Sequence, residues 1–194
     1  MYSLFIDTHG SSVALVLFKD SKVLCNKTSY TNNKHSVATF PLIEELFNEN
    51  KLDVHDLSQI LVVNGPGSFT GVRIAVTIAK TLAYTLNIPI RVIDSLTLIA
   101  LNIDVTGNKY VSIPDRNGAY VGMFNGSSKI SEFNYYNKDE YENLKANNKV
   151  FEESNVSINY DLVYEFMTNQ SNNIVNPHAV NPLYVKGLNV KDDK

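Results

Sequence analysis

The sequence predicts an α/β fold, a mixed sheet with helices packed against it. Three observations carry the prediction. Three short apolar segments, residues 3–7, 13–18 and 23–29, follow one another only a few residues apart, which favours an antiparallel meander. Residues 59–64 are a continuous apolar run, the pattern of a parallel strand buried on both faces. Helical periodicities alternate with these strands, giving the order β-β-β-α-β-α-β-α.

Each element has its own signal. In residues 36–50, Val37, Phe40, Ile43, Leu46 and Phe47 recur at helical spacing, and Pro41 fits only near the first turn or at a kink. Residues 70–86 are the longest helical segment, 88–93 the next strand, and 95–102 a short helix opened by a good N-cap residue. The composition shifts near 104–109, where Thr106-Gly107-Asn108 reads as a turn between lobes. Residues 110–114, 119–124 and 129–133 read as a second meander with polar turns at 115–118 and 125–128. Beyond Lys138 the chain is polar and Asn-rich, with a helix expected near 161–168. The expected division is a first lobe at 1–104 and a smaller second lobe at 105–194.

The 194 residues carry 17 Lys+Arg against 20 Asp+Glu, a formal net charge of −3. Residues 1–104 hold 8 basic and 9 acidic side chains, and 105–194 hold 9 and 11, so neither half offers a basic field for nucleic acid. A single cysteine, Cys25, excludes a disulfide framework and a cysteine-built zinc site. No apolar run approaches the roughly 20 residues of a membrane helix. The first residues lack the basic start and apolar stretch of a signal peptide, so a cytoplasmic location is expected.

The run Asn64-Gly65-Pro66-Gly67-Ser68-Phe69-Thr70-Gly71-Val72-Arg73-Ile74 joins the buried strand to the long helix. Gly65 and Gly67 permit positive φ and close approach, and Ser68 or Thr70 can cap the helix. Free amides at such a junction suit phosphate or carboxylate, while a tight strand-to-helix turn needs no ligand at all. The spacing GxGxxxG is neither the dinucleotide fingerprint nor a Walker loop. In the helix behind it, apolar residues cover an arc of roughly 200°, against about 100° for packing on one sheet. The surplus edge is Val72, Val76, Ala79 and Ala83, with Gly71, Ala75, Ala79 and Ala83 repeating every fourth residue. Either helix 36–50 covers this edge, or both helices present a shared apolar face to a partner.

Four stretches, LFIDTHGSSVAL (4–15), HSVATFPLIEELF (35–47), VVNGPGSFTGVRIAVTIAKTLAY (62–84) and IPIRVIDSLTLIA (88–100), together resemble the TsaB (YeaZ) family. IPDRNGAYVGMF (113–124) and NPLYVKG (181–187) are shorter echoes. The resemblance implies a two-lobed actin-like, Hsp70-like ATPase (ASKHA) fold with mixed sheets, the second lobe reduced. It implies a non-catalytic subunit in threonylcarbamoyladenosine synthesis on tRNA, partnered by a catalytic TsaD-like paralogue and an ATP-binding TsaE-like subunit. No cofactor is then expected for the lone chain, ATP and magnesium being handled by partner subunits and tRNA being met only indirectly. In the catalytic relative, the junction matching 93–99 carries two metal-binding His four residues apart. Here Ser95 and Ile99 stand there, and His9, His35, His55 and His178 include no i,i+4 pair.

The expected partner-binding residues are Val37, Phe40, Phe69, Val72, Arg73, Val76, Ala79, Lys80 and Ala83, and the same helices can form a homodimer. Asp7, Thr8, Gly65, Gly67 and Ser68 are the candidate phosphate loop, with Asp7 able to hold a hydrated magnesium ion. No catalytic or metal-ligating set is expected. His35 reads as a capping or surface residue, Asp94, Asp115 and Arg116 as turn residues, and the acidic pairs 44–45, 139–140 and 152–153 as solvated faces. The rival class is an enzyme, a glycoprotease-type metallopeptidase or an ATPase.

Overall fold

The structure is a computed structural model describing residues 1–30, 35–169 and 174–186. The expected meander is β1 (Tyr2–Asp7), β2 (Ser12–Lys19) and β3 (Lys22–Tyr30). After it come α1 (His35–Asn50), β4 (Leu57–Val63), α2 (Phe69–Leu86), β5 (Ile90–Ile93) and α3 (Ser95–Leu101). The first sheet has the order β11-β5-β4-β1-β2-β3, where β11 is the two-residue strand Ile174–Val175. β1, β4 and β5 run parallel, and β2, β3 and β11 are antiparallel to their neighbours.

Side-chain alternation along the strands builds three layers. Leu4, Ile6, Leu15, Leu17, Ile60 and Val62 face α1 and α2. Phe5, Val16, Phe18, Leu61 and Val63 face the opposite way, against Leu98 of α3 and Val163, Tyr164 and Met167 of α5 (Tyr160–Asn169). Pro41 lies inside α1, past the first turn. It removes a donor for the Val37 carbonyl on an exposed side of the helix, open to solvent. β5 begins two residues later than expected. Asn87 takes a left-handed conformation at φ 54°, and the Ile88 amide bonds back to Ala83 O at 3.0 Å, so this stretch closes the helix.

The second sheet contains β6 (Asn108–Asp115), β7 (Gly118–Asn125), β8 (Ser128–Lys129), β9 (Asn134–Asn137) and β10 (Val150–Glu152) in the order β10-β6-β7-β8, with β9 also on β7. The strand expected at 129–133 stops at Lys129. Phe133 leaves the ladder to set its ring on Phe124, 5.9 Å between centroids, over Gly122. The Asn-rich stretch carries α4 (Lys138–Asn147), started by a capping box between Asn137 and Glu140.

α3 is buried nearly all round because it is shared. Leu96, Ile99 and Ala100 pack with Val111, Ile113 and Phe124 of the second sheet, while Leu98 faces the first. Buried Lys109 donates to Ala100 O and Ile103 O at 2.9 and 2.6 Å, tying β6 to the end of α3. The chain does not leave the first sheet for good at residue 104, since α5 covers its face and β11 joins its edge. Among the described residues no helix is long and apolar enough to cross a membrane.

Candidate functional site

The glycine run forms a tight junction with the turn after β1. Gly65 and Gly67 have φ of +100° and +154°. A Cβ at Gly67 would run into the His9 carbonyl, and one at Gly71 into that of Thr8. Ser68 N donates to His9 O at 2.7 Å, and Thr8 Oγ1 to Gly71 O at 2.5 Å. Ser68 Oγ caps α2 by accepting from Gly71 N at 3.2 Å. Thus Thr8, Gly67 and Ser68 meet, but Ser68 N and Gly71 N are already satisfied within the chain. A phosphate cradle needs such amides free.

Asp7 is likewise engaged. Its Oδ1 accepts from His9 N at 2.9 Å and lies 2.6 Å from His9 Nδ1. On the other side, His9 Nε2 is 3.2 Å from Glu153 Oε1, off hydrogen-bond alignment but at ion-pair distance. Burial opposes a charge on His9, yet the two carboxylates outweigh it and raise its pKa to about 10. The His9 ring therefore lies against the Asp7 oxygen that, in the sequence, was able to hold a hydrated magnesium ion. Among the described residues no cluster of three or more His, Cys, Asp or Glu is placed to hold a metal.

Glu153 is the residue that sequence reasoning missed. Read as half of a solvated pair, it sits in a turn after β10 with its carboxylate against Gly10, where no Cβ intervenes. Glu152 diverges to accept from Tyr141 OH at 2.8 Å. Only the Gly10 beside His9 hints at such an approach. His35 is also buried rather than a surface cap, its Nε2 3.0 Å from Gly10 O. Beyond these contacts a cleft of about 830 Å³ opens between the lobes, with Ser11, Ser12 and Tyr30 facing Arg116. Asp94 caps α3 through Thr97 N and Oγ1, both at 2.7 Å, and burial pushes its carboxyl up. Asp115 accepts from Tyr135 OH at 3.1 Å.

The expected partner face divides in two. Val37, Phe40 and Phe69 are 70, 64 and 45% exposed, and Arg73 is also exposed. Val72, Val76, Ala79 and Ala83 are no more than 3% exposed, so they do not form a docking surface. α1 does not cover that edge. The segment from Ile174 to Lys186 does, with Val180 in the same core cluster and Lys80 Nζ donating to His178 O and Val180 O at 3.3 and 2.8 Å. α1 and α2 instead flank a groove of about 400 Å³, walled by Phe40, Phe69, Ile74, Ile78 and Leu82 with Thr77 at its rim. Ile74 and Thr77 were missed because the arc alone does not say which of its edges is covered. The apolar residues at 180–184, which need a surface to lie on, were the available signal.

A family model for TsaD, described as tRNA N6-adenosine threonylcarbamoyltransferase, matches residues 23–161. The chain belongs to the TsaD family. Within it the chain groups with TsaB (YeaZ). It is 42% identical over 102 residues to the tRNA threonylcarbamoyladenosine biosynthesis protein TsaB of Bacillus subtilis, covering 53% of this chain and 44% of that one. It is 32% identical over 97 residues to the TsaB of Buchnera aphidicola subsp. Schizaphis graminum, covering 50% and 46%. The chain spans about half the length of these curated relatives. YeaZ from Pseudomonas aeruginosa superposes with a TM-score of 0.76 at 17% identity, over 94% of this chain and all of that one. The YeaZ fold therefore extends over both sheets of the chain. At the junction where the resemblance set two histidines, this TsaB-like chain has Ser95, whose hydroxyl donates to Pro66 O, and Ile99, buried in the core between α3 and the second sheet.

Proposed function

We propose that this protein is a non-catalytic subunit for threonylcarbamoyladenosine synthesis on tRNA, acting in the cytoplasm by docking a catalytic TsaD-like paralogue on the α1–α2 groove. The observation that carries the reading is the open apolar groove itself, with Val37, Phe40 and Phe69 left in solvent. The junction chemistry supports it, because the Ser68 and Gly71 amides and Asp7 are engaged internally and positions 95 and 99 carry no metal-ligating side chain. So do the names of the curated relatives. A TsaE-like ATP-binding subunit joins the pair in this reading, ATP and magnesium are handled there, and tRNA is met through the complex. The lone chain carries no cofactor.

The test is co-purification with the TsaD-like paralogue of the same genome. Phe40→Glu places a charge at the groove mouth without touching the core, so it is expected to abolish capture while circular dichroism is unchanged. Capture undiminished by Phe40→Glu overturns this interface. The same exposed groove suits a second copy of the chain when the paralogue is absent. A concentration series in light scattering then shows a dimer that Phe40→Glu dissociates.

A further inference from the structure

We infer that the segment Ile174–Lys186 is a positioning strap for the docking groove, acting through Tyr184 to hold Phe69 and Arg73 ready for a carboxylate on the partner. The inference rests on the proposed docking of a paralogue at α1–α2.

The strap is anchored along its length. Ile174 and Val175 pair with Arg91 and Ile90, extending the first sheet. Lys80 then grips the carbonyls of His178 and Val180. Further on, Leu183 N donates to Asn64 O at 2.7 Å, at the base of the glycine run. Lys186 reaches the second lobe, 3.4 Å from Asp115 Oδ2 and 4.1 Å from the Tyr135 ring centroid. A segment fixed at both lobes and along α2 delivers Tyr184 to one place.

That place is the rim of the groove. The Tyr184 and Phe69 rings are 5.4 Å apart. The Arg73 guanidinium lies 3.8 Å from the Phe69 centroid and 5.8 Å from that of Tyr184. Arg73 Nε donates to Tyr184 OH at 2.8 Å. Stacking and this bond fix the guanidinium plane, and neither terminal nitrogen has a bond among the described residues. A planar fork held in advance beside an apolar groove matches a carboxylate carried on an apolar helix, which it can take bidentately. Holding the arginine before contact removes an ordering cost from association.

A thermodynamic cycle on affinity for the TsaD-like paralogue tests this, with Phe40→Glu as the control for the docking site. Tyr184→Phe keeps the ring and deletes the bond to Arg73. It is expected to weaken binding roughly tenfold, the scale of one charge-assisted hydrogen bond. In an Arg73→Gln background the same change is expected to have little further effect, and the salt dependence of binding to flatten. If Phe40→Glu abolishes binding but Tyr184→Phe leaves it unchanged, or weakens it equally in both backgrounds, the strap inference is overturned and the docking site stands. If Phe40→Glu has no effect, the docking site and the inference fall together.

Discussion

His9 makes the clearest energetic demand in the molecule. It is a buried imidazolium between Asp7 and Glu153, carboxylates from different sheets' surroundings. His9→Gln keeps a polar side chain but leaves buried negative charge uncompensated, and is expected to cost about 3–5 kcal/mol in urea unfolding. The pH dependence follows from the direction of the shift. A pKa raised from 6.5 to about 10 means that the charged form is stabilised by folding. Its contribution is complete below pH 6.5 and declines as pH rises through about 10. The parent protein should therefore lose stability across that window, and the His9→Gln variant should show a shallower slope. Tyr160 does not confuse the reading, since burial, with the charge of Asp7, pushes its hydroxyl up to about 12. None of this was visible in sequence, where His9 is one residue after a threonine in a turn, and its second carboxylate is far along the chain.

At the scale of elements, α2 was legible in extent and only half legible in meaning. Its length, its start at the glycine run and its wide apolar arc are all present in the structure. Periodicity measures how much surface wants cover, and says nothing about what covers it. The strap covers Val72, Val76, Ala79 and Ala83, so Val76→Glu is expected to behave as a core mutation. Melting by circular dichroism should fall by the equivalent of 3 kcal/mol or more, in contrast to the silent Phe40→Glu. α4 shows the opposite limit. Its capping box was readable at Asn137 and Glu140, yet its interior buries only Tyr141, so hydrophobic periodicity was faint. β8 and β9 were misjudged because Phe133 serves a ring contact instead of the strand ladder.

For the whole molecule, the layered α/β order of the first lobe was the readable part, because parallel and antiparallel strands differ in pattern. The closing contacts between lobes were not, since they join residues far apart in the chain: His9 with Glu153, and Asp115 with Lys186, 71 positions on, through a strap that also holds α2. These contacts join the lobes through the chain's own side chains. Solution scattering should give a radius of gyration of about 16 Å, unchanged on adding ATP and magnesium. A contraction on nucleotide addition would count against the internal closure. Ser95 ties two elements together. Its hydroxyl is fully buried and fastens the glycine run to α3, and Ile99 is sealed against the second sheet. Histidines grafted at both places would displace a strut and overfill a core before they met any metal. At these two positions the fold has built walls where a ligand pair would need a doorway.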